Sequence, residues 1–387
     1  MKGGKKTILN LPLKILFTEE GINFFITNNK KLNKFKTADD LDAYGIFLDK
    51  FSPASIQQMM LIDYVSKIEV SSTEFMSKRQ DVMDLSKLVV YGFLYRQFDN
   101  KIFSEIIGSE LITQWNRLNP GSILDEKSSI NDKYLQKVLA GNKSIVDEVK
   151  QDILNPVISR INTNASLLPA EKNIYLFLSE KYLEKLRPFI WFILSRFKGS
   201  SEYHNLLSNL RNILQNYMEK SKIAEYLSLM ILELLSNAEN TNLQNYAEKI
   251  YKGNVDPKTV LYDQTLRNQI LAEMARQNEK LYLSWKIKGK SSSVGTSNRL
   301  EVTIYNRESE YQDLKKTIND KKMINLKEKN LMEFYKELPA AQTNTELGLY
   351  YLSYLNDACE KVKVRFESNV SQIRSSGLTV ITLNLSF

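Results

Sequence analysis

The chain has one cysteine and one histidine in 387 residues. The single Cys359 excludes an intrachain disulfide and any zinc site built on several thiolates. It suits a reducing compartment and reads as a small buried hydrophobe on the last helical stretch. With only His204 available, a Ser-His-Asp triad has one place to form and a Cys/His ligand cluster has none. Long apolar runs are also missing. The densest, Phe189-Ile190-Trp191-Phe192-Ile193-Leu194, is bounded by Arg187-Pro188 and Arg196. It falls far short of the roughly 20 residues that cross a bilayer and reads as a buried helix. The basic start, Met1 to Lys6, leads into Ile8-Leu9-Asn10-Leu11-Pro12-Leu13-Lys14, whose Asn, Pro and Lys interrupt any signal core. A cytoplasmic protein without a membrane span is expected. There is no Walker-type glycine loop and no Gly-x-Ser-x-Gly elbow.

What is present is ordinary for a folded chain: 43% hydrophobic and 25% charged residues, with 20 Tyr and 17 Phe to fill a core. The length allows two or three domains at roughly 100 to 200 residues each. The net charge of +8 permits attraction to nucleic acid or an anionic surface. No stripe of Lys and Arg interleaved with aromatics stands out.

Along the chain, Leu13 to Phe17 and Ile22 to Thr27 read as a short hairpin around Glu19-Glu20-Gly21. After about residue 40 the pattern turns helical. Ser52-Pro53 marks a helix start, with Ser52 as N-cap and Pro53 in the first turn. Ile56, Met59, Met60 and Tyr64 then fall on one face. Val82 to Gln97, Ile102 to Leu118 and Lys133 to Leu139 repeat that periodicity. Asn119-Pro120-Gly121-Ser122 is a break. Ser144 to Asn162 forms a helix carrying Pro156, and Pro169 starts the next. Lys198-Gly199-Ser200-Ser201 is the best linker candidate. It divides a mainly helical region, residues 1–198 with a small β element near the start, from a second domain over 203–387. In the latter, Tyr203 to Met218 and Ile223 to Ala238 are amphipathic helices. Asn240 to Gln277 is helical with a break near Gly253 to Pro257. Leu281 to Ile287 and Leu300 to Ile304 alternate as strands, joined by the Ser-rich loop Lys290 to Ser297. Tyr311 to Leu338 is a charged helix.

Glu233 and Asn237 stand four residues apart in Glu233-Leu234-Leu235-Ser236-Asn237-Ala238, which puts them on one helical face. The two strands behind them close on Ile304-Tyr305-Asn306. A helix opening with Leu347-Gly348-Leu349 follows, running to Cys359. A hairpin made by Val362 to Phe366 and Gly377 to Leu385 ends the chain. This order resembles the GHKL family of ATP-binding domains (gyrase, Hsp90, histidine kinase, MutL) over residues 203–387. The resemblance implies an α+β fold, a mixed sheet layered on helices as an α/β sandwich, behind a mainly helical N-terminal region. It also implies roles for four residues. The Asn237 carbonyl oxygen would bind Mg²⁺. Glu233 would orient and deprotonate the attacking water, Asn306 would accept from the adenine amino group, and Gly348 would lie against the phosphates.

The glycines that seat a nucleotide in that family are mostly absent. Asn306-Arg307-Glu308-Ser309-Glu310 stands where the family has Asp-x-Gly-x-Gly. Asn344-Thr345-Glu346-Leu347-Gly348 stands for Gly-x-Gly-x-Gly, with only the last glycine kept. A like charge about 4 Å from a phosphate costs roughly 1 to 4 kcal/mol, depending on local dielectric. The helical stretch Thr241 to Glu279 is a further departure. His204, in His-Asn-Leu-Leu-Ser-Asn-Leu, resembles a phosphoacceptor helix of sensor kinases, but it stands too near Asn237 to leave room for their two long helices. The ordinary alternative is a helix-face histidine.

The expectation is therefore a regulatory or protein-interaction protein without enzymatic activity, on a degenerate histidine kinase-like ATPase domain, with a protein partner and no cofactor. The alternatives are an active Mg-ATP-binding kinase or ATPase using Glu233, Asn237, Asn306 and Gly348, and a basic nucleic-acid-binding protein.

Overall fold

The computed structural model describes residues 9–126, 132–289, 298–306, 348–373 and 378–387. These form an α+β protein in two compact units, one of residues 1–93 with 222–387 and one of residues 94–221. Eight strands build the first unit: β1 (Leu13–Phe17), β2 (Asn33–Lys36), β3 (Asp42–Leu48), β4 (Val65–Ser72), β5 (Leu281–Lys288), β6 (Arg299–Asn306), β7 (Arg365–Ile373) and β8 (Leu378–Ser386). They make one sheet in the order β2-β3-β1-β4-β5-β6-β8-β7. All seven pairings are antiparallel, where a mixed sheet was expected. In chain order the helices are α1 (Glu19–Thr27), α2 (Pro53–Leu61), α3 (Arg79–Ile107), α4 (Glu110–Leu118), α5 (Asp132–Gly141) and α6 (Lys143–Thr163). They continue with α7 (Pro169–Glu184), α8 (Pro188–Arg196), α9 (Tyr203–Lys220), α10 (Lys222–Tyr251), α11 (Gln264–Arg276) and α12 (Gly348–Lys361).

Period-two alternation gives the sheet unlike faces. Leu283, Trp285, Val302, Ile304, Leu383 and Leu385 point to one side and are almost wholly buried. On that side α10 and α12 pack on each other, α10 on β5 and β6, and α12 on β7. Tyr226 of α10 stacks on Tyr354 of α12 with centroids 6.1 Å apart. The opposite side carries a directly paired polar row, Lys14, Glu69, Ser284, Thr303, Thr382 and Asn369.

The expected hairpin over residues 13–27 is not formed, because its second arm is α1. Thr18 caps that helix by accepting from the Gly21 N–H at 3.2 Å, and Glu19 and Glu20 complement its positive end. Gly21 is required by a close approach: a Cβ there would lie 2.7 Å from the Tyr64 carbonyl oxygen. The N-terminal region is also less helical than its pattern suggests, since β2, β3 and β4 join β1. The start of α2 falls at Pro53 as expected, but the Ser52 side chain makes no capping hydrogen bond.

The Lys198 to Ser201 stretch lies between α8 and α9, inside the helical unit, and Gly199 takes φ +89° in that turn. The units divide instead at 93/94 and 221/222. Within the helical unit Tyr182 is fully buried among Tyr95, Phe98 and Tyr217, and its hydroxyl meets Ser221 Oγ at 2.7 Å. Asp99 accepts from the Arg187 backbone N–H at 2.8 Å and from its Nε at 2.6 Å. The Lys290 to Ser297 loop and the charged helix expected over Tyr311 to Leu338 lie outside the described residues.

Candidate functional site

The helix expected over Ile223 to Ala238 is the first half of α10, which continues unbroken to Tyr251. Its apolar stripe, including Leu227, Met230, Ile231, Leu234 and Leu235, is buried. Glu233 and Asn237 are half-buried at its margin. The Asn237 Oδ1 atom is itself buried and has no hydrogen-bond partner among the described residues. A buried carbonyl oxygen left unmatched carries a desolvation cost of about 1 to 3 kcal/mol, which a cation or a donor arriving there would remove. Asn306 ends β6 in the alternation of Leu300, Val302 and Ile304, so it faces the helical layer. It is buried, opposite the fully buried Thr379 of β8. Gly348 is the first residue of α12. Thus α10, β6 and α12, which bring these four residues, belong to one sheet-and-helix layer pair. The residues around them that would meet a ligand, Glu308, Glu310 and Asn344 to Leu347, lie outside the described residues.

Two residues beyond Asn237, α10 carries a carboxylate that sequence reasoning missed. Glu239 is 1% exposed. One of its oxygens accepts from the backbone N–H groups of Phe75 at 2.7 Å and Met76 at 3.1 Å, and the other is paired with the Arg267 guanidinium of α11. Burial pushes the Glu239 carboxyl above the usual range, against the opposing pull of the two N–H groups and Arg267. The arrangement ties the site helix to the connection after β4 and to the helical stretch before β5. That stretch was expected to be helical with a break near Gly253 to Pro257. It consists of the second half of α10, a short 3-10 turn (Pro257–Leu261) and α11 around Leu243, Ile270 and Met274.

A second buried polar centre lies on the other face of the sheet. Glu69 of β4 is fully buried, with Lys14 Nζ at 3.0 Å and Lys67 Nζ at 3.5 Å. The turn between β2 and β3 closes over it. The Ala38 N–H donates to Glu69 at 3.0 Å, and Asp39 takes Lys67 Nζ at 2.9 Å and the Thr37 hydroxyl at 2.5 Å. Burial pushes the Asp39 carboxyl up, but Thr37 and Lys67 outweigh it and hold it below the usual range. Tyr305 of β6 lies beneath Lys67, with its ring centroid 5.9 Å from Nζ, and burial raises its hydroxyl well above the usual range. The signal that could have found this centre is the alternation Val65-Ser66-Lys67-Ile68-Glu69-Val70, a strand pattern with charges on one side. These charges satisfy one another, which is the pattern of a structural network.

His204 is exposed on α9, in the other unit from Glu233 and Asn237, with its ring against Tyr203. Cys359 is fully buried on α12, and burial pushes its thiol up to about 12. Among the described residues no helix is long and apolar enough to cross a membrane.

The chain is thus an α+β protein with an eight-stranded antiparallel sheet and a separate helical unit. It belongs to a family of unknown function, DUF8084, whose pattern it matches over residues 4–387. It is 40% identical over 384 residues to an uncharacterized protein of Treponema pallidum (strain Nichols), covering 99% of each chain. No solved structure matches it.

Proposed function

We propose that this chain is a cytoplasmic interaction protein without enzymatic activity, built on a degenerate histidine kinase-like ATPase domain. The succession α10, α11, β5, β6, α12, β7, β8, with strands adjacent as β5-β6-β8-β7 and α11 as an insertion, supports the domain reading. One observation carries the loss of activity. At the two places where the related glycines would let a nucleotide approach the backbone, the chain has Glu308, Glu310, Asn344 and Glu346. Carboxylates repel phosphate and fill the volume that glycine leaves open. In this reading the pocket is not used for ATP, and the protein acts through its surfaces on a protein partner. The test is calorimetry and thermal melting with Mg-ATP and Mg-ADP. No binding heat, no shift in melting temperature and no phosphate release are expected.

A second reading is favoured by the unmatched Asn237 Oδ1, an oxygen donor of the kind a hard cation takes. In it, Asn237 holds Mg²⁺, Asn306 the adenine, Gly348 the phosphates, and Glu233 the water. Micromolar nucleotide binding that Asn237→Ala abolishes would replace the first reading by this one.

A further inference from the structure

Three helices of the helical unit, α6, α7 and α9, pack on one another around a cavity of about 110 Å³ that opens to solvent. Its floor is apolar: Val157 and Ile161 of α6, Tyr175 of α7 and Met218 of α9 are all buried. An apolar cavity of similar size, about 150 Å³, holds a benzene-sized group. The floor therefore has room for one short aliphatic side chain.

The rim says what kind of molecule brings that side chain. Arg160 of α6 donates through Nη1 to Gln215 Oε1, and Gln215 Nε2 donates to Glu219 Oε1 at 3.4 Å. The Gln215 amide thus stands between a guanidinium and a carboxylate, its oxygen toward the cation and its NH₂ group toward the anion. Neither Arg160 nor Glu219 forms an ion pair among the described residues. Each charge meets only a neutral amide, and hydrogen bonds between ionised partners are roughly twice as strong. The head of a free α-amino acid is the ionised counterpart of that amide. It offers a carboxylate to the forked donors of an Arg and an ammonium to the acceptors of a Glu, a few atoms apart.

We propose that this cavity binds a free α-amino acid with a short aliphatic side chain, such as leucine. The side chain fills the floor between Val157, Ile161 and Met218. The carboxylate pairs with Arg160, the ammonium with Glu219, and the Gln215 amide swings aside. Recognition requires both charges on the carbon that bears the apolar group, so a fatty acid or an alkylamine of the same shape leaves one rim charge unmatched. The site lies wholly within the helical unit and does not depend on what the α10 side of the sheet binds.

Calorimetry of the full chain with leucine tests this. A dissociation constant at or below about 1 mM is expected. Isocaproate, which lacks the ammonium, isoamylamine, which lacks the carboxylate, and glycine, which lacks the side chain, should each bind at least about tenfold more weakly. Arg160→Gln and, separately, Glu219→Gln should weaken leucine binding by a similar factor with unchanged melting temperature, since neither side chain is in an ion pair. Gln215→Ala should bind leucine at least as tightly, because it removes the group that the ligand displaces. No binding heat with leucine at several millimolar overturns the proposal. So do equal affinities for leucine and either truncated analogue, full binding by both charge variants, or loss of binding in Gln215→Ala.

Discussion

The Glu239 carboxylate of α10 and the Arg267 guanidinium of α11 form an ion pair, and Glu239 also takes two backbone N–H groups, those of Phe75 and Met76. Three parts of the chain, spread from Phe75 to Arg267, converge on this single side chain.

Removing it should cost far more than removing an exposed charge. Glu239→Ala strands two backbone donors and leaves Arg267 without its main partner, and breaking such a buried pair typically costs about 3 to 5 kcal/mol. Arg267→Ala should cost less, because the two N–H groups still hold the carboxylate. Urea unfolding followed by circular dichroism checks the order; equal losses would mean that the N–H groups contribute nothing.

Asp39 predicts an acid response. Its carboxyl is held below the usual 3.8 in the folded chain, so the native state binds fewer protons than the unfolded chain. Its stabilising contribution is complete above that ordinary value and is lost as pH falls through the lower, folded value. In Asp39→Asn this part of the pH dependence should vanish. The check is the difference in urea midpoint between the two proteins, large at neutral pH and shrinking below about pH 4.

Gly45 of β3 is a site where only hydrogen fits. A Cβ there would stand 2.0 Å from the Ile15 carbonyl oxygen and 2.9 Å from its carbon, both in the paired backbone of β1. Backbone cannot swing aside as a side-chain tip does. Gly45→Ala should exceed the roughly 1 to 3 kcal/mol of ordinary overpacking, and loss of amide-exchange protection in β1 and β3 would show where the strain falls. Full stability of the variant would contradict the register.

Cys359 should be inert. With the thiol pushed up to about 12 and the side chain fully buried, a thiol reagent at pH 8 should label the native protein only as fast as it unfolds. Because the folded value lies above the ordinary 9.0, the native state keeps a proton that the unfolded chain loses. Stability should therefore decline as pH rises from about 9 toward 12. Rapid labelling of the native chain is the contrary result.

The parts of the fold legible in the sequence are those whose signal is local. The alternation of Leu281 to Ile287 and of Leu300 to Ile304, and the helical stripe of Leu227, Met230, Leu234 and Leu235, each name an element on their own. Pairing partners do not announce themselves in that way. Nothing near Glu69 says that Ser284 will lie beside it, so the N-terminal strands looked like a minor β element rather than half of one sheet. Past residue 40 the pattern is helical because Ile56, Met59 and Met60 set a helical rhythm, which Val65 to Ser72 then abandons. Glu239 was passed over for the same reason of distance. In Asn237-Ala238-Glu239-Asn240 it looks like one more polar residue, and its partners come from Phe75, Met76 and Arg267. Glu233 and Asn237 were found because a four-residue spacing is visible without knowing the fold.

The sheet is stitched together from the two ends of the chain, and Ser72 of β4 meets Leu281 of β5. A ribosome makes the second of these roughly two hundred residues after the first. At about 5 to 20 residues per second, β4 emerges with one flank bare for on the order of tens of seconds, while the intervening helices have all left the exit tunnel. The helical segment can therefore finish folding as an independent unit during synthesis, whereas the sheet closes only once β5 to β8 have been made. A nascent chain stalled before β5 would expose β4 as an open template for aggregation.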